Sequence, residues 1–303
     1  MSSLIEQAAA RLAQLRSAGA AMPGGKKPST GAAKAPMATY RHDHAGAPSA
    51  GAAQVSQRIE IDLDALAASG IVSPNAPRSQ IADQFRVIKR PLLGNAKGGG
   101  ATQVRNGNLI MITSSVTGEG KTFTALNLAI SMAAELDNTV MLVDADVARP
   151  SVMRTLGLPA GPGLLDLLTG ERKDLSEVLL KTNIAKLSLL SSGTPQPNAT
   201  EMLASESMAK LLAGMAERYP ERIIIFDSPP LLLTTEARVL ASHMGQVVMV
   251  IQAEKVMRSD VHDALATIEA CPVKLLLLNQ ARASLVGSAY QHGYGYAYAA
   301  RPV

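Results

Sequence analysis

The residues best suited to chemistry are Lys121 and Thr122, which follow a loop of small residues at 114–120. An unbroken apolar run at 109–112 precedes the loop and is typical of a strand buried on both faces. A helical pattern at 123–130 follows. This order predicts a phosphate-binding loop, in which backbone N–H groups and the helix N-terminus hold the β- and γ-phosphates. The lysine adds a full charge, and the threonine hydroxyl reaches Mg²⁺.

The strict phosphate-loop pattern has Gly at the position that Ser115 occupies in this chain. The alternative interpretation is therefore a chance Gly-rich turn between a strand and a helix. The placement of that strand and that helix favours the phosphate-binding loop.

Two acidic sites follow apolar strands. Asp144 and Asp146 come directly after the run at 140–143, and Asp227 comes directly after the run at 223–226. Carboxylates at these positions project over the same sheet edge as the phosphate loop, where they can hold Mg²⁺ or accept a proton from an attacking hydroxyl. A lone Asp after a strand is more often a turn or cap residue. Three of them, with Gly-Lys-Thr upstream, favour a nucleotide site.

The rest of the chain alternates between strands and helices, which predicts an α/β fold: a mostly parallel sheet with helices on both faces. Ligands of such sheets gather at the carboxyl ends of the strands. The predicted strands lie at 139–143, 187–191, 222–226, 246–252 and 273–279. The predicted helices lie near 150–156, 164–168, 175–181, 201–218, 236–242 and 259–270.

Composition limits the function classes. The 303 residues are 47% hydrophobic, and Cys271 is the single cysteine, which excludes an internal disulfide framework and fits a small core residue in a reducing cytoplasm. No apolar stretch is long enough to span a bilayer, and no signal peptide is apparent. Residues 1–56 carry the whole net charge of +4. This argues against a nucleic-acid-binding core, although a basic arm can touch anionic lipid or an acidic partner.

The chain divides into four predicted parts. Residues 1–18 form an amphipathic helix that packs on its own domain or contacts a partner or a membrane surface. Residues 19–56, rich in Ala, Gly, Pro and Ser, form a flexible linker. The domain that holds the phosphate loop and the acidic sites covers 57–283, and a tyrosine-rich tail covers 284–303.

Residues 81–93 predict a further amphipathic helix, which we expect Pro91 to stop. Phe85, Ile88 and Leu92 form its apolar stripe. On a monomer we expect its charged residues to form an ordinary solvated face. The basic members of that face are Arg86, Lys89 and Arg90.

The tail holds four of the six tyrosines of the chain within its last fourteen residues, separated by Gly, Ala, Gln and His. Such a segment has little to fold around, so we expect its hydroxyls to be accessible. The alternative is an aromatic low-complexity tail that adheres to a partner. The four are Tyr290, Tyr294, Tyr296 and Tyr298.

Together these motifs resemble those of a known family. Residues 115–122, 143–150 and 225–230 resemble the Walker A, A′ and B motifs of bacterial tyrosine autokinases (BY-kinases), P-loop NTPases of the MinD/ParA-like group. Three segments resemble the branch encoded with exosortase-linked exopolysaccharide (PEP-CTERM) loci: the N-terminal Ser-Ser-Leu-Ile-Glu helix, residues 86–93 and residues 144–150. The resemblance covers almost the whole chain apart from the linker.

The resemblance implies ATP and Mg²⁺ as cofactors and assigns roles to residues. Asp144 would be the base that receives the proton of the incoming tyrosine, and the tail tyrosines would be the acceptors. Asn279 is a plausible contact to the base of ATP and equally a cap. The implied catalytic residues are Lys121, Asp144, Asp146 and Asp227. The metal ligands would be Thr122, Asp146 and Asp227. The nucleotide contacts would be Thr117, Gly118, Glu119, Gly120, Lys121, Thr122, Phe123 and Asn279.

The chain departs from the family pattern at three places. Thr117 replaces a common Pro, which we expect to be tolerated. Ala148 replaces an Arg of the A′ motif and Arg149 follows it, so the role of that Arg is open. The family's oligomerisation helix carries Glu, Arg and Arg at intervals of three residues. This chain has Asp83, Arg86 and Lys89 at the corresponding positions. A lysine there lacks the forked guanidinium with which arginine makes two hydrogen bonds.

The resemblance also implies partners. These are further copies in a ring, where one tail enters the site of its neighbour, a separate membrane activator of the chain-length-determinant (polysaccharide co-polymerase) group, and a cognate tyrosine phosphatase. The implied location is cytoplasmic, peripheral to the inner membrane through that activator. Phosphates on the tail would repel each other, loosen the ring and so regulate exopolysaccharide polymerisation and export.

Two alternatives share the fold. A MinD/ParA-like positioning ATPase has a second lysine where this chain has Val116, and it needs no tyrosine tail. A non-catalytic scaffold would bind nucleotide only to hold an oligomer together, and the intact lysine and three aspartates argue against it.

Overall fold

The computed structural model describes residues 57–74, 79–98 and 103–282. The predicted N-terminal helix and linker and the tail tyrosines lie outside these residues. The described part contains eight strands: β1 Arg58–Ile59, β2 Leu109–Ser114, β3 Thr139–Asp144, β4 Leu180–Thr182, β5 Leu187–Leu190, β6 Arg222–Asp227, β7 Gln246–Gln252 and β8 Val273–Asn279. Its helices are α1 Leu63–Ala68, α2 Gln80–Ala96, α3 Lys121–Ala133, α4 Val152–Thr155, α5 Leu164–Thr169, α6 Leu175–Val178, α7 Ala199–Leu203, α8 Glu206–Arg218, α9 Thr235–Ser242 and α10 Arg258–Thr267.

The strands form one sheet in the order β1-β4-β5-β3-β6-β2-β7-β8. All neighbours pair in parallel except β4 and β5, which are antiparallel. The predicted mostly parallel α/β fold is therefore confirmed. The sheet brings β2, β3 and β6, which carry the three chemical motifs, side by side at its centre.

The central strands are buried on both faces, which explains their unbroken apolar sequences. Along β2, Leu109 and Met111 enter one hydrophobic core, whereas Ile110 and Ile112 enter the core on the other face. All four side chains are fully buried, and each stabilises the fold by about 1.5–3 kcal/mol. Cys271 is also buried, as predicted.

The expectation that Pro91 ends its helix is wrong, because α2 continues through Pro91 to Ala96. A proline inside a helix costs roughly 3 kcal/mol, since it lacks an N–H and clashes with the carbonyl four residues earlier. Leu92 and Leu93 follow it and are both buried in the core. Burial of two leucines contributes about 3–6 kcal/mol, which outweighs the cost of the proline.

Two other predicted helices differ in the structure, where one is divided and the other is shorter than predicted. The predicted helix at 201–218 consists of α7 and α8, because Ser205 is extended and its hydroxyl caps α8 by accepting from the Met208 N–H. The predicted helix at 175–181 ends at Val178, and the chain then extends into β4, which pairs with β1 and β5. The pairing of β4 with the edge strand β1 joins segments that are far apart in the sequence, so the local pattern carries no signal for it.

Within the described residues, no helix combines the length and the apolar character that crossing a membrane would require.

Candidate active site

The loop between β2 and α3 has the backbone of a phosphate-binding loop. Gly118 and Gly120 have φ of 88° and 93°, a left-handed conformation that side chains disfavour. Gly120 is also the N-cap of α3, so the loop delivers its amides to the positive end of that helix. Ser115 is fully buried in the loop, and its hydroxyl has no hydrogen-bond partner among the described residues.

Glu119 and Asn279 hold the loop against the neighbouring strands. The Glu119 carboxylate accepts hydrogen bonds from the Val116 N–H at 2.7 Å and from the Gln252 N–H at 3.1 Å. Asn279 donates through Nδ2 to the Glu119 carbonyl oxygen at 2.9 Å, and its Oδ1 accepts from the Gln280 N–H. Burial raises the pKa of Glu119 despite these hydrogen bonds. Asn279 therefore braces the loop, and its contact with the base of ATP stays a prediction.

Asn279 also explains why position 120 is glycine. A Cβ at Gly120 would collide with the Asn279 side-chain amide. Phe123, another predicted nucleotide contact, packs its ring edge against Phe85 with ring centroids 6.4 Å apart. Thr117 is exposed at the tip of the loop.

Lys121 and Thr122 contact the two acidic motifs directly. Lys121 Nζ lies 2.7 Å from Asp146 Oδ2, and the Thr122 hydroxyl donates to Asp227 Oδ2 at 2.6 Å. Burial alone lowers the pKa of Lys121, but the attraction of Asp227 and Asp146 outweighs it, so the pKa is raised and the side chain is charged. The predicted lysine, threonine and aspartates therefore form one cluster.

Asp144 and Asp227 end the neighbouring strands β3 and β6 and lie opposite each other in register. Asp144 Oδ2 accepts from the Ser151 N–H at 3.0 Å and the Val152 N–H at 2.9 Å, so it caps α4. Burial is the main cause that raises the pKa of Asp144 to about 6 and the pKa of Asp227 to about 7. Among the described residues, the remaining Oδ1 of each aspartate has no hydrogen-bond partner.

The Oδ1 of Asp227, which has no partner among the described residues, fits a divalent cation. A buried carboxylate oxygen without a partner is costly, and Mg²⁺ would satisfy it. No group of three His, Cys, Asp or Glu side chains in the described ranges is placed to hold a metal alone. Mg²⁺ commonly binds to one or two carboxylates and takes its other ligands from water and phosphate, so the residues present fit the ion.

Two neighbours of the cluster complete its description. Sequence reasoning missed Ser151, whose hydroxyl oxygen lies 2.8 Å from Thr122 Oγ1. Arg149 donates its backbone N–H to Asp146 Oδ1 at 3.1 Å, while its side chain is exposed beside Ala148.

The three candidate oligomerisation residues on α2 have different environments. Asp83 and Arg86 form an exposed ion pair with 2.6 Å between Oδ1 and Nη1. Lys89 is buried, and its Nζ contacts the Ser131 carbonyl oxygen at 2.6 Å and Glu135 Oε1 at 2.7 Å. The expectation that Lys89 lies on a solvated face is therefore wrong. Its ammonium is paired within the chain, at the end of the helix that follows the phosphate loop.

Comparisons with known proteins agree with this geometry. A protein-family model described as an AAA domain matches residues 107–279. Tyrosine-protein kinase YwqD of Bacillus subtilis is 30% identical over 206 residues, which cover 68% of this chain and 83% of YwqD. The crystal structure of the chimerical protein CapA2B2 is 28% identical, with a TM-score of 0.59, and the match covers 75% of this chain and 94% of that one.

Some relatives are much longer. Tyrosine-protein kinase ptk of Acinetobacter johnsonii is 32% identical over 182 residues, which cover 59% of this chain and 24% of ptk. The phosphate loop and the aspartate cluster lie within the matched residues 107–279. The chain therefore belongs to the bacterial tyrosine-protein kinase family and carries its AAA-type P-loop domain.

Proposed function

We propose that this protein is an ATP-dependent tyrosine autokinase that phosphorylates the C-terminal tyrosines of a neighbouring copy of itself. The observation that carries the proposal is the cluster at the end of β2, β3 and β6. It joins a phosphate-binding loop, a charged lysine and two buried carboxylates with unpartnered oxygens. The acceptors are Tyr290, Tyr294, Tyr296 and Tyr298.

Each residue of the cluster has a task in this reaction. The loop amides and the α3 N-terminus bind the β- and γ-phosphates of ATP. Lys121, which lies against Asp146 in this structure, turns to the γ-phosphate and neutralises the charge that develops there. Thr122, Asp146 and Asp227 would hold Mg²⁺, which would supply electrostatic stabilisation to the phosphates.

Asp144 acts as the base. The tyrosine oxygen attacks the γ-phosphorus, the bond from that phosphorus to the ADP oxygen breaks, and the phenolic proton passes to Asp144. Oδ2 of Asp144 is held by the first amides of α4, so its position is fixed. Oδ1 has no partner among the described residues and is the atom that receives the proton.

The cellular role that we propose follows from the family. The kinase assembles as a ring, is activated by a separate chain-length-determinant protein of the membrane, and is reset by a tyrosine phosphatase. It lies in the cytoplasm at the inner membrane, and its phosphorylation cycle regulates exopolysaccharide polymerisation and export. The ion pair of Asp83 and Arg86 is exposed and available to an adjacent copy, whereas Lys89 supports this surface from within.

The test is the intact mass of the full chain after incubation with ATP and Mg²⁺, followed by mapping of modified peptides. The proposal expects added phosphate on residues 290–298 of the wild type and none on Lys121→Met. Steady ATP hydrolysis without any phosphate on the protein would instead indicate a positioning ATPase.

A further inference from the structure

A cavity of about 290 Å³ lies beside the aspartate cluster, and none of the residues named so far as catalytic lines it. We refer to it as the β5 pocket. Its walls come from α4, from the turn at 158–161 and from the segment after β5. A larger groove of about 360 Å³ lies between α6 and α8, near the amino end of β6 and away from the cluster.

The β5 pocket begins one strand away from Asp144, the proposed catalytic base. Strands β3 and β5 pair in parallel with Val143 opposite Leu190, so Asp144 and Ser191 are the next residues along the same edge. Ser191 lines the pocket. Asp144 also caps α4, which contributes Met153 and Arg154 to the pocket wall. The same carboxylate thus positions both the reacting centre and one side of the cavity.

Hydrogen bonds fix the turns that form the floor of the pocket. Asp166 Oδ2 accepts from the Gly163 N–H at 2.6 Å and from the Thr194 N–H at 3.0 Å. The Ser191 hydroxyl donates to the Gly161 carbonyl oxygen at 2.8 Å. Gly163 lies so close to Ser191 that a Cβ there would collide with its carbonyl. The cavity is therefore built into the fold and does not depend on a loose surface loop.

The lining of the pocket suits an aromatic ring with a polar tip. Met153 and Leu158 supply apolar surface, and Gly161 leaves space because no described residue lies within 4 Å of where its Cβ would be. Arg154 is exposed and supplies one cation. A guanidinium can stack on an aromatic face, and it can hydrogen-bond a phenol or a phosphorylated phenol.

The tail has the spacing to place such a ring. In an extended chain, alternate side chains point to the same side and lie roughly 6.5 Å apart, whereas neighbouring strands lie about 4.8 Å apart. A peptide that crosses the edge from β3 towards β5 with one tyrosine at Asp144 would carry its next same-side residue towards Ser191 and the β5 pocket. Tyr294, Tyr296 and Tyr298 follow each other at intervals of two.

We propose that the β5 pocket binds a second tail tyrosine of the neighbouring copy, two residues from the tyrosine that is being phosphorylated. The inference rests on the proposed autokinase function and adds the basis of its substrate recognition. Which tail tyrosines are phosphorylated would then depend on the aromatic residue two positions away as well as on the acceptor tyrosine itself.

The experiment measures kcat/KM for full-length acceptor chains that carry Lys121→Met and only one tail tyrosine, Tyr296. In one acceptor the other three tail tyrosines are replaced by Phe, and in the second they are replaced by Ala. The kinase is an otherwise wild-type chain whose own tail tyrosines are all Phe. We expect the Phe acceptor to react roughly tenfold faster, which is the contribution of one buried aromatic ring.

Filling the pocket should remove this preference. Gly161→Leu places a side chain in the cavity without backbone strain, because no positive φ is required at Gly161. Gly214→Leu is the matched control, since Gly214 also has open space around it and lines the groove of α6 and α8. We expect the Gly161→Leu kinase to use both acceptors at one rate, and the Gly214→Leu kinase to keep the roughly tenfold preference.

The outcomes separate the inference from the function on which it rests. Equal rates for the two acceptors with the wild-type pocket, or an unchanged preference in Gly161→Leu, would overturn the pocket assignment and leave the kinase intact. No transfer to either acceptor would overturn both. Nucleotide affinity of Gly161→Leu, measured in parallel, reports its folding, and Ala160→Leu repeats the test from an exposed position on the same turn.

Discussion

The aspartate cluster and the β5 pocket lie side by side at one edge of the sheet, yet different kinds of interaction hold them together. The cluster consists of charged side chains that contact one another, such as Lys121 with Asp146 at 2.7 Å. The pocket consists of turns held by backbone hydrogen bonds to Asp166 and Ser191. The difference separates chemistry from recognition: charges are concentrated where phosphate reacts, and space and apolar surface where a peptide side chain binds.

We expect the largest effect on the phosphorylation rate when the positive charge of the cluster is removed. Lys121→Met should lower the rate of tyrosine phosphorylation about 10³-fold, because the γ-phosphate loses its positive partner and Asp146 loses its counter-ion. Lys210→Met is the control, since Lys210 pairs with Glu206 on the exposed face of α8. A Lys121→Met chain that retained half of the wild-type rate would contradict the role of the cluster.

Asp144→Asn should lower the rate about 10²-fold while nucleotide affinity is kept. Asparagine retains an oxygen that can accept from the Ser151 and Val152 amides, so α4 stays capped, but it cannot take the proton. Single-turnover kinetics and nucleotide binding measure the two effects separately. An equal loss of affinity and rate would show that Asp144 serves binding and not proton transfer.

Glu119→Gln should weaken nucleotide binding roughly tenfold with a smaller effect on the phosphotransfer step. Glutamine has one side-chain oxygen for the two amides, Val116 and Gln252, that the carboxylate satisfies. The loop would then be less well held. Glu171→Gln, an exposed substitution on the loop after α5, is the control for loss of one charge. Titration with a fluorescent ATP analogue measures the affinity, and wild-type affinity in Glu119→Gln would show that the loop needs no such support.

Asp166→Asn addresses the pocket and should have the smallest effect, a loss of about 1 kcal/mol in the free energy of unfolding at neutral pH. Burial alone raises the pKa of Asp166, but hydrogen bonds from Thr194 and Gly163 outweigh it and hold the pKa below its ordinary value. The ionised carboxylate therefore stabilises the fold at a pH above that ordinary value. The contribution is lost as the pH falls through the lowered pKa of the folded state.

Denaturant unfolding of the wild type and of Asp166→Asn at neutral and acidic pH tests the direction of this pH dependence. The stability difference between the wild type and Asp166→Asn should shrink on acidification below the ordinary range of an aspartate. A difference that grew on acidification would mean that the protonated form of Asp166 is the one that holds the floor of the β5 pocket.

The cluster and the β5 pocket also differ in how much could be predicted from the sequence. The central strands and the cluster were predictable, because burial on both faces produces unbroken apolar runs. Asp144 and Asp227 follow such runs directly, and Lys121 follows the Gly-rich loop after β2. The β5 pocket was not, since its form depends on turns that meet only in the folded chain. Asp166 and Ser191 are ordinary residues in the sequence.

Lys89 and Pro91 illustrate the same limit on α2. A lysine in a helical pattern predicts a solvated side chain, and only the fold brings Glu135 within 2.7 Å of its ammonium. A proline predicts the end of a helix, and only the fold shows that the leucines beyond it are buried. In both cases tertiary packing outweighs a correct local preference.

The most direct test of the central claim mixes two full-length chains of different isotopic mass with ATP and Mg²⁺. One is active but has Phe at all four tail tyrosines, and the other carries Lys121→Met and an intact tail. Phosphorylation between neighbouring copies predicts phosphate on residues 290–298 of the inactive chain. An inactive chain that stays unmodified, while wild-type protein alone gains phosphate, would contradict it.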